Sequence, residues 1–185
     1  IAVNGKQIAY TATAGRVVMR TEEGKPRAHV FFIAYTRTDV GDASERPITF
    51  SFNGGPGSSS VWMHLGLLGP RRVVSGDVVN PQPPPYHLVD NQFTLLEASD
   101  LVFIDPVSTG FSRATTGEDP KQFHGIEQDV ESVGDFIRLY VSRAKRWRSP
   151  KYLIGESYGT TRAAGLSGYL QDRHGMYLNG IMLVS

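Results

Sequence analysis

Two glycine-rich strings in the sequence have the residue types that acyl-transfer chemistry needs. Residues 53–60 read Asn-Gly-Gly-Pro-Gly-Ser-Ser-Ser, and residues 155–159 read Gly-Glu-Ser-Tyr-Gly. The Gly-x-Ser-x-Gly pattern is typical of a sharp strand-to-helix turn that holds a nucleophilic serine at its apex. A glycine-rich loop can offer backbone N–H groups to a developing oxyanion. The pair therefore predicts Ser157 as a nucleophile, with residues 53–60 as the loop beside it.

The segments that flank the two strings favour this interpretation. Residues 152–154 form a short apolar run typical of a buried parallel strand, and a helix is predicted over residues 160–171. Residues 48–52 alternate like a strand, so the glycines follow its carboxyl end, where open α/β sheets bind ligands. The alternatives are a serine that merely starts a helix and an ordinary Gly/Pro turn. Three glycines, one proline and three serines in eight residues exceed what a turn needs.

Four motifs in this order resemble those of the serine carboxypeptidases, peptidase family S10, which have the α/β-hydrolase fold. They cover residues 52–60, 68–70, 101–112 and 155–159. The resemblance runs from about residue 45 to the end of the sequence. It implies that Ser157 is the catalytic nucleophile and that the backbone N–H groups of Gly55 and Tyr158 form the oxyanion hole. It also implies a central, mostly parallel sheet with flanking helices and an N-terminal β-hairpin.

The resemblance also implies how a substrate is recognised. Asn53, Gly54 and Glu156 would bind the free C-terminal carboxylate of a peptide, while Tyr158 and the turn at residues 109–111 would lie near the pockets for the adjoining side chains. The sequence departs from the family pattern at Leu67, where an acid is usual. In many family members one residue separates the aspartate from the proline, whereas Asp105 and Pro106 are adjacent here. A serine also replaces the usual glycine at position 108. We interpret the chain as a divergent, bacterial-type member.

The length indicates one portion of a domain. The chain has 185 residues, and residues 180–184 form an apolar run that predicts a further sheet strand. Because the triad order in this fold is serine, acid, histidine, and because Asp172 and His174 follow Ser157 too closely, we expect both to be surface or capping residues. The expectation is that residues 1–185 are the N-terminal portion of a single domain, inactive alone, with the triad acid and base beyond Ser185.

Composition limits the possible partners. The net charge of +1 gives no electrostatic basis for binding nucleic acid or an anionic membrane. The sequence contains no cysteine, its histidines have no metal-ligand spacing, and no apolar run approaches the roughly 20 residues of a membrane span. We therefore expect no cofactor, no metal and no membrane span. The resemblance implies a peptide substrate and an extracytoplasmic location, either periplasmic or secreted, and the sequence does not indicate an oligomeric state.

Other patterns predict the surrounding elements. Residues 10–19 and 29–36 predict a hairpin, and residues 101–104 a buried strand. Residues 122–147 predict one long helix with an apolar face that includes Ile126 and Ala144. Basic residues near its end, including Arg146, are expected to complement the helix dipole. Residues 80–86 are proline-rich and predict a polyproline-II connector.

Three function classes remain open from the sequence. The first is a serine carboxypeptidase that releases C-terminal amino acids through an acyl-enzyme. The second is a related acyltransferase or esterase, since an acyl-enzyme can be resolved by an alcohol or formed from an ester. The third is a non-catalytic binding homologue. Asn53 together with Glu156 favours the first over the second, and the intact pattern around Ser157 argues against the third.

Overall fold

A computed structural model describes residues 1–74, 76, 79 and 83–185. The described residues include two α-helices, α1 (Ile126–Arg143) and α2 (Tyr158–His174). The strands are β1 (Ala2–Val3), β2 (Lys6–Gln7), β3 (Tyr10–Arg20), β4 (Pro26–Arg37), β5 (Ile48–Phe52), β6 (Arg71–Val73), β7 (Leu88–Asp90), β8 (Asp100–Ile104), β9 (Arg113–Ala114), β10 (Lys151–Glu156) and β11 (Gly180–Val184). A π-helical segment covers Trp62–Leu68, and 3₁₀ turns cover Leu95–Glu97 and Pro120–Phe123.

The central sheet has the strand order β11-β10-β5-β8-β4-β3, with β9 paired to β4. Strands β11, β10, β5 and β8 are parallel to one another, whereas β4 runs antiparallel to both β3 and β8. The predicted hairpin is present as β3 and β4, and the predicted strand at residues 180–184 pairs with β10. Because β5 and β10 are parallel neighbours, the loops that follow them lie side by side at one edge of the sheet.

Both faces of the sheet are covered, which explains why β8 is apolar along most of its length. Val102 and Ile104 pack into the core formed with α1 and α2, whereas Leu101 and Phe103 pack on the opposite face. All five residues of β8 are buried. A strand covered on both faces does not need the polar alternation of a half-exposed strand.

The helix before the candidate nucleophile is shorter than the sequence predicted. It begins at Ile126, after a separate 3₁₀ turn at Pro120–Phe123, and ends at Arg143. Ile126 is 60% exposed, and Ala144 is also exposed, so neither belongs to the predicted apolar face. The break occurs at Gly125, whose φ of 106° interrupts the helical backbone.

Arg146, predicted to complement the dipole at the end of the long helix, lies beyond that helix and pairs with a buried carboxylate instead. Its side chain is buried and donates a hydrogen bond of 2.6 Å from Nη1 to Asp100 Oδ2 and one of 2.7 Å from Nη2 to the carbonyl of Arg46. The Arg46 guanidinium pairs with the other oxygen of Asp100 at 2.9 Å. These groups join the amino ends of β5 and β8, at the edge of the sheet opposite Ser157.

The predicted polyproline-II connector lies in part outside the described residues. Residues 80–82 are not described, and residues 83–86 are exposed without forming a helix or strand. No helix in the part of the chain that the structure describes is long and apolar enough to cross a membrane.

Candidate active site

Ser157 occupies a sharp turn between β10 and α2, as the sequence predicted. β10 ends at Glu156, α2 begins at Tyr158, and the intervening serine has φ 56° and ψ −122°. Positive φ is rare for a residue with a side chain, and it is found at functional turns where the surrounding structure enforces it. The Ser157 N–H donates to the carbonyl of Val184 at 2.8 Å, and the serine is exposed. The turn therefore presents the hydroxyl above the sheet.

Gly155 is required by the close packing of this turn. A Cβ at this position would overlap the backbone oxygen of Gly159 and would lie 2.9 Å from the ring of Phe52. No side chain fits without moving the backbone, which explains why the turn needs glycine at this place.

The glycine-rich loop is pressed against the same turn. A Cβ on Gly54 would overlap the backbone nitrogen of Tyr158 and would lie 2.7 Å from the carbonyl oxygen of Glu156. Only a residue without a side chain allows the two backbones to approach so closely. The arrangement brings the loop at residues 53–60 and the first N–H groups of α2 to the same place.

Asn53 and Glu156 are in direct contact. The Asn53 Nδ2 donates to Glu156 Oε2 at 3.0 Å, and the backbone N–H of Met63 donates to Asn53 Oδ1 at 3.0 Å. Since Asn53 is 1% exposed and both ends of its amide are engaged, its side-chain orientation is fixed. These two side chains, predicted from separate motifs, therefore meet across the loops that follow β5 and β10.

A cavity of about 590 Å³ opens at this contact. Its wall includes five of the six predicted site residues, all except Tyr158: Asn53, Gly54, Gly55, Glu156 and Ser157. The π-helical segment contributes Trp62, Met63 and Leu67.

Leu67 thus supplies an apolar side chain at the position where the family resemblance implies an acidic residue. The two arginines that soon follow Leu67 in the sequence, Arg71 and Arg72, do not line the cavity, and Arg71 approaches Asp90 at 3.7 Å.

A second cavity of about 440 Å³ lies on the other flank of the turn, where Tyr158 contributes to the wall. Thr109 also lines it, whereas Gly110 and Phe111 do not. The walls are mostly apolar, with Pro56, Pro106 and Phe123 among them.

Asp105 ties the third motif to the glycine-rich loop. Its Oδ1 accepts from the backbone N–H and the hydroxyl of Ser60 at 2.9 and 3.0 Å, and its Oδ2 accepts from the N–H of Phe111 at 3.2 Å. A Cβ on Gly110 would overlap the Asp105 carboxylate. The carboxylate thus holds two loops in register beside the candidate site.

In the described part of the chain, no histidine side chain is hydrogen-bonded to Ser157, and His64, His124 and His174 have other partners. His64 is buried against Phe103, and its Nε2 lies 2.7 Å from the Tyr35 hydroxyl. Burial lowers the pKa of His64 to about 4 and raises that of Tyr35 to about 12. His174, expected to be a surface or capping residue, is the last residue of α2, where its side chain is 10% exposed and lies 3.0 Å from Asp135.

Arg162, a buried arginine in α2 that donates to the Asn53 carbonyl at 2.7 Å, was not predicted from the sequence. The available signal was its position beside Ala163 and Gly165, on a helix whose small residues predict close packing. A charged side chain there needs a buried partner. The burial of His64 was likewise indicated by its apolar neighbours in the segment Trp62–Leu68.

Comparison with known proteins agrees with this geometry. The family model described as serine carboxypeptidase matches residues 6–183. The chain belongs to the serine carboxypeptidase family. Among family members, it is 26% identical over 185 residues to serine carboxypeptidase-like 29 of Arabidopsis thaliana, covering 95% of this chain and 36% of that protein.

Solved structures agree with the predicted α/β-hydrolase fold. The crystal structure of Kex1(delta)p, a prohormone-processing carboxypeptidase from Saccharomyces cerevisiae, matches with a TM-score of 0.71 and 25% identity, over 95% of this chain and 38% of that one. The peroxisomal alpha-beta-hydrolase Lpx1 of the same yeast shares the fold, with a TM-score of 0.50 and 11% identity, over 96% of this chain and 43% of that one. This carboxypeptidase-family chain therefore spans less than half of each of these three proteins.

Proposed function

We propose that the chain provides the nucleophile and the substrate-binding side of a serine-type carboxypeptidase. The observation that carries the proposal is the hydrogen bond between Asn53 and Glu156 in the cavity that also contains Ser157. An enzyme that cleaves only the last peptide bond must recognise the terminal carboxylate next to its nucleophile. An amide donor and a carboxyl group, held together by packing, are suited to that recognition when the carboxyl is protonated.

The proposed reaction proceeds in two steps. Ser157 Oγ attacks the carbonyl of the last peptide bond and loses its proton to a general base, and the N–H groups of Gly55 and Tyr158 stabilise the oxyanion. The C–N bond then breaks, the amino group of the released amino acid takes a proton, and an acyl-enzyme remains. Water attacks the acyl-enzyme and regenerates the serine. We propose that the base and its acid partner lie outside these 185 residues, because none of the described histidines contacts Ser157.

The two cavities suit the two sides of the scissile bond. We assign the terminal carboxylate to the cavity with Asn53, Gly54 and Glu156, and the side chain on the acyl side to the cavity that Tyr158 lines. Asn53 uses one of its two amide hydrogens on Glu156, so the second remains for the substrate. The assignment makes peptides with a free carboxylate the substrate class.

Two further proposals concern the whole protein. Residues 1–185 would form the N-terminal portion of one α/β-hydrolase domain, and the protein would act outside the cytoplasm, as the family resemblance implied. Limited proteolysis and cell fractionation test these two points independently of activity.

The nucleophile is tested by covalent labelling of the full-length protein. A fluorophosphonate should modify Ser157, and mass spectrometry of the digested adduct should locate the label there. The Ser157→Ala variant is the control and should take up no label while keeping the same unfolding midpoint. Labelling at another residue, or an unlabelled folded protein, would contradict the proposal. Release of the last residue from free-acid peptides then separates a carboxypeptidase from an esterase, which would act on esters alone.

A further inference from the structure

Arg162 is a buried cation that the proposed reaction does not use. It lies in the second turn of α2, and its side chain is 0% exposed. Removing a guanidinium from water is costly unless charged and polar partners replace the solvent. The partners of Arg162 therefore indicate what the fold gains from placing it there.

Those partners belong to the elements that build the site. Its Nη1 donates to the carbonyl of Asn53 at 2.7 Å, and its Nε donates to Asp129 Oδ2 at 2.8 Å. The guanidinium also lies over the rings of Phe52 and Tyr158, with each ring centroid 5.3 Å from Cζ. Arg162 thus connects the end of β5 and the start of the glycine-rich loop to α1 and to the residue after Ser157.

The bond to Asn53 fixes the orientation of a whole peptide unit. The Asn53–Gly54 peptide is planar and trans, so its C=O and N–H point in opposite directions. Because Arg162 holds the C=O on the side of α2, the Gly54 N–H is directed away from α2. Gly55, whose N–H is a proposed oxyanion donor, follows directly after this peptide unit in the chain.

We propose that Arg162 is a positioning residue, which orients the Asn53–Gly54 peptide and the Tyr158 backbone so that the oxyanion-stabilising N–H groups converge above Ser157. The inference rests on the proposed function for its effect on turnover. Its structural part, the ordering of residues 53–58 by Arg162, does not depend on catalysis.

Arg146 offers a matched control on the same chain. It is also a buried arginine, with one bond of 2.6 Å to a carboxylate, Asp100, and one of 2.7 Å to a backbone carbonyl, that of Arg46. It lies at the opposite edge of the sheet, beside the amino ends of β5 and β8. Substituting either arginine removes one bond to a carboxylate and one to a backbone carbonyl. Arg146 also loses a bond of 2.6 Å to Ser149 Oγ, whereas Arg162 also loses its contacts with the Phe52 and Tyr158 rings, which belong to the site under test.

The experiment compares Arg162→Met and Arg162→Lys with Arg146→Met and Arg146→Lys in the full-length protein. Because a displacement of about 1 Å can cost about a hundredfold in rate, we expect Arg162→Met to lower kcat about 10- to 100-fold. We expect KM to change less than about threefold, since the oxyanion forms only in the transition state. The Arg146 variants should lose stability but keep kcat within about twofold of the wild type, because they leave the N–H groups that stabilise the oxyanion in place.

Hydrogen exchange supplies the readout that is independent of activity. Amides of residues 53–58 should exchange faster in the Arg162 variants and at the wild-type rate in the Arg146 variants. If Arg162→Met does not fold, Arg162→Lys decides, since a lysine keeps the charge but cannot reproduce the two-directional hydrogen bonding of the guanidinium.

Equal effects on kcat and exchange at both positions, or no effect at Arg162, would overturn the inference. A wild-type protein that fluorophosphonate does not label at Ser157 would refute the proposed function instead. The exchange rates would then still test whether Arg162 orders the loop.

Discussion

Acid should destabilise this protein through His64, a buried histidine in the π-helical segment Trp62–Leu68. Its ring is buried between Tyr35 and Phe103, and burial lowers its pKa from the ordinary 6.5 to about 4, although the nearby Asp105 carboxylate acts in the opposite direction. The folded protein therefore holds His64 neutral at a pH where the unfolded chain binds a proton. The perturbation that isolates this effect is His64→Gln, which keeps a polar side chain facing the Tyr35 hydroxyl.

The expected magnitude follows from the shift in pKa. Because the folded pKa is depressed, the stabilising contribution is present above about pH 6.5 and is lost as the pH falls toward about 4. A difference of about 2.5 pKa units corresponds to about 3 kcal/mol in the free energy of unfolding once the pH is below both values. Between pH 8 and pH 5, the same relation gives a loss of about 2 kcal/mol.

The assay is urea unfolding of the full-length wild type and of His64→Gln at several pH values from 8 to 5. The difference in unfolding free energy between the two proteins should shrink by about 2 kcal/mol over this range. Contributions shared by both proteins cancel. One such group is Asp39, whose pKa is lowered to about 2 by the hydrogen bond from Arg37; its stabilising contribution is constant above about pH 4 and is lost only as the pH falls further, outside the range of the assay.

Tyr35→Phe provides the control for the cause of the shift. This variant removes the hydroxyl that lies 2.7 Å from His64 but leaves the imidazole buried. Since burial is the larger cause, the pH dependence should persist in Tyr35→Phe while it disappears in His64→Gln. A constant difference between wild type and His64→Gln from pH 8 to 5 would refute the reasoning, because it would show that His64 titrates alike in the folded and unfolded chains.

Two further predictions concern the cavity lined by Asn53 and Glu156, and both are tested in the full-length protein. Asn53→Ala should lower kcat/KM for free-acid peptides more than for their C-terminally amidated counterparts, because it removes a donor to the carboxylate; equal losses would mean that Asn53 only shapes the loop. Leu67→Glu should place a second carboxyl near Glu156, and two close carboxyls retain a proton to higher pH. The ratio of kcat/KM for free-acid over amidated peptides, measured from pH 4 to 8, should then fall less toward neutral pH than in the wild type, and identical profiles would count against this role of Leu67.

The backbone of the site was predictable from the sequence because local residue types determine it. An apolar run before Gly-x-Ser-x-Gly and small residues after it specify strand, turn and helix, and the structure has β10, the turn at Ser157 and α2 in those places. The overlap that a side chain at Gly155 would cause shows the physical reason. The family motifs imply that Asn53 and Glu156 act together, and the two side chains meet because the loops after β5 and β10 are neighbours.

Helix boundaries were less predictable because single residues at the two ends decide them. The apolar spacing continues through residues 122–147, yet the helix begins only after Gly125, with φ 106°, and ends before Lys145, with φ 57°. Periodicity measures which face could be buried, not where the chain leaves the helix. The exposure of Ile126 follows from the same break.

Tertiary partners account for what the sequence left out, and the two buried arginines show why. Arg146 follows a helix among other basic residues and was assigned to the helix dipole, while Arg162 lies within a helix and received no role. Each is buried because a carboxylate distant in sequence, Asp100 or Asp129, faces it in the fold. Neither ion pair can be predicted from the spacing of residues in the sequence. The partners are 46 and 33 residues apart, and strand order and helix packing determine that they meet. Their opposite positions along the sheet, one beside the amino ends of the strands and one beside Ser157, are what make the same chemical group structural in one case and, by our inference, functional in the other.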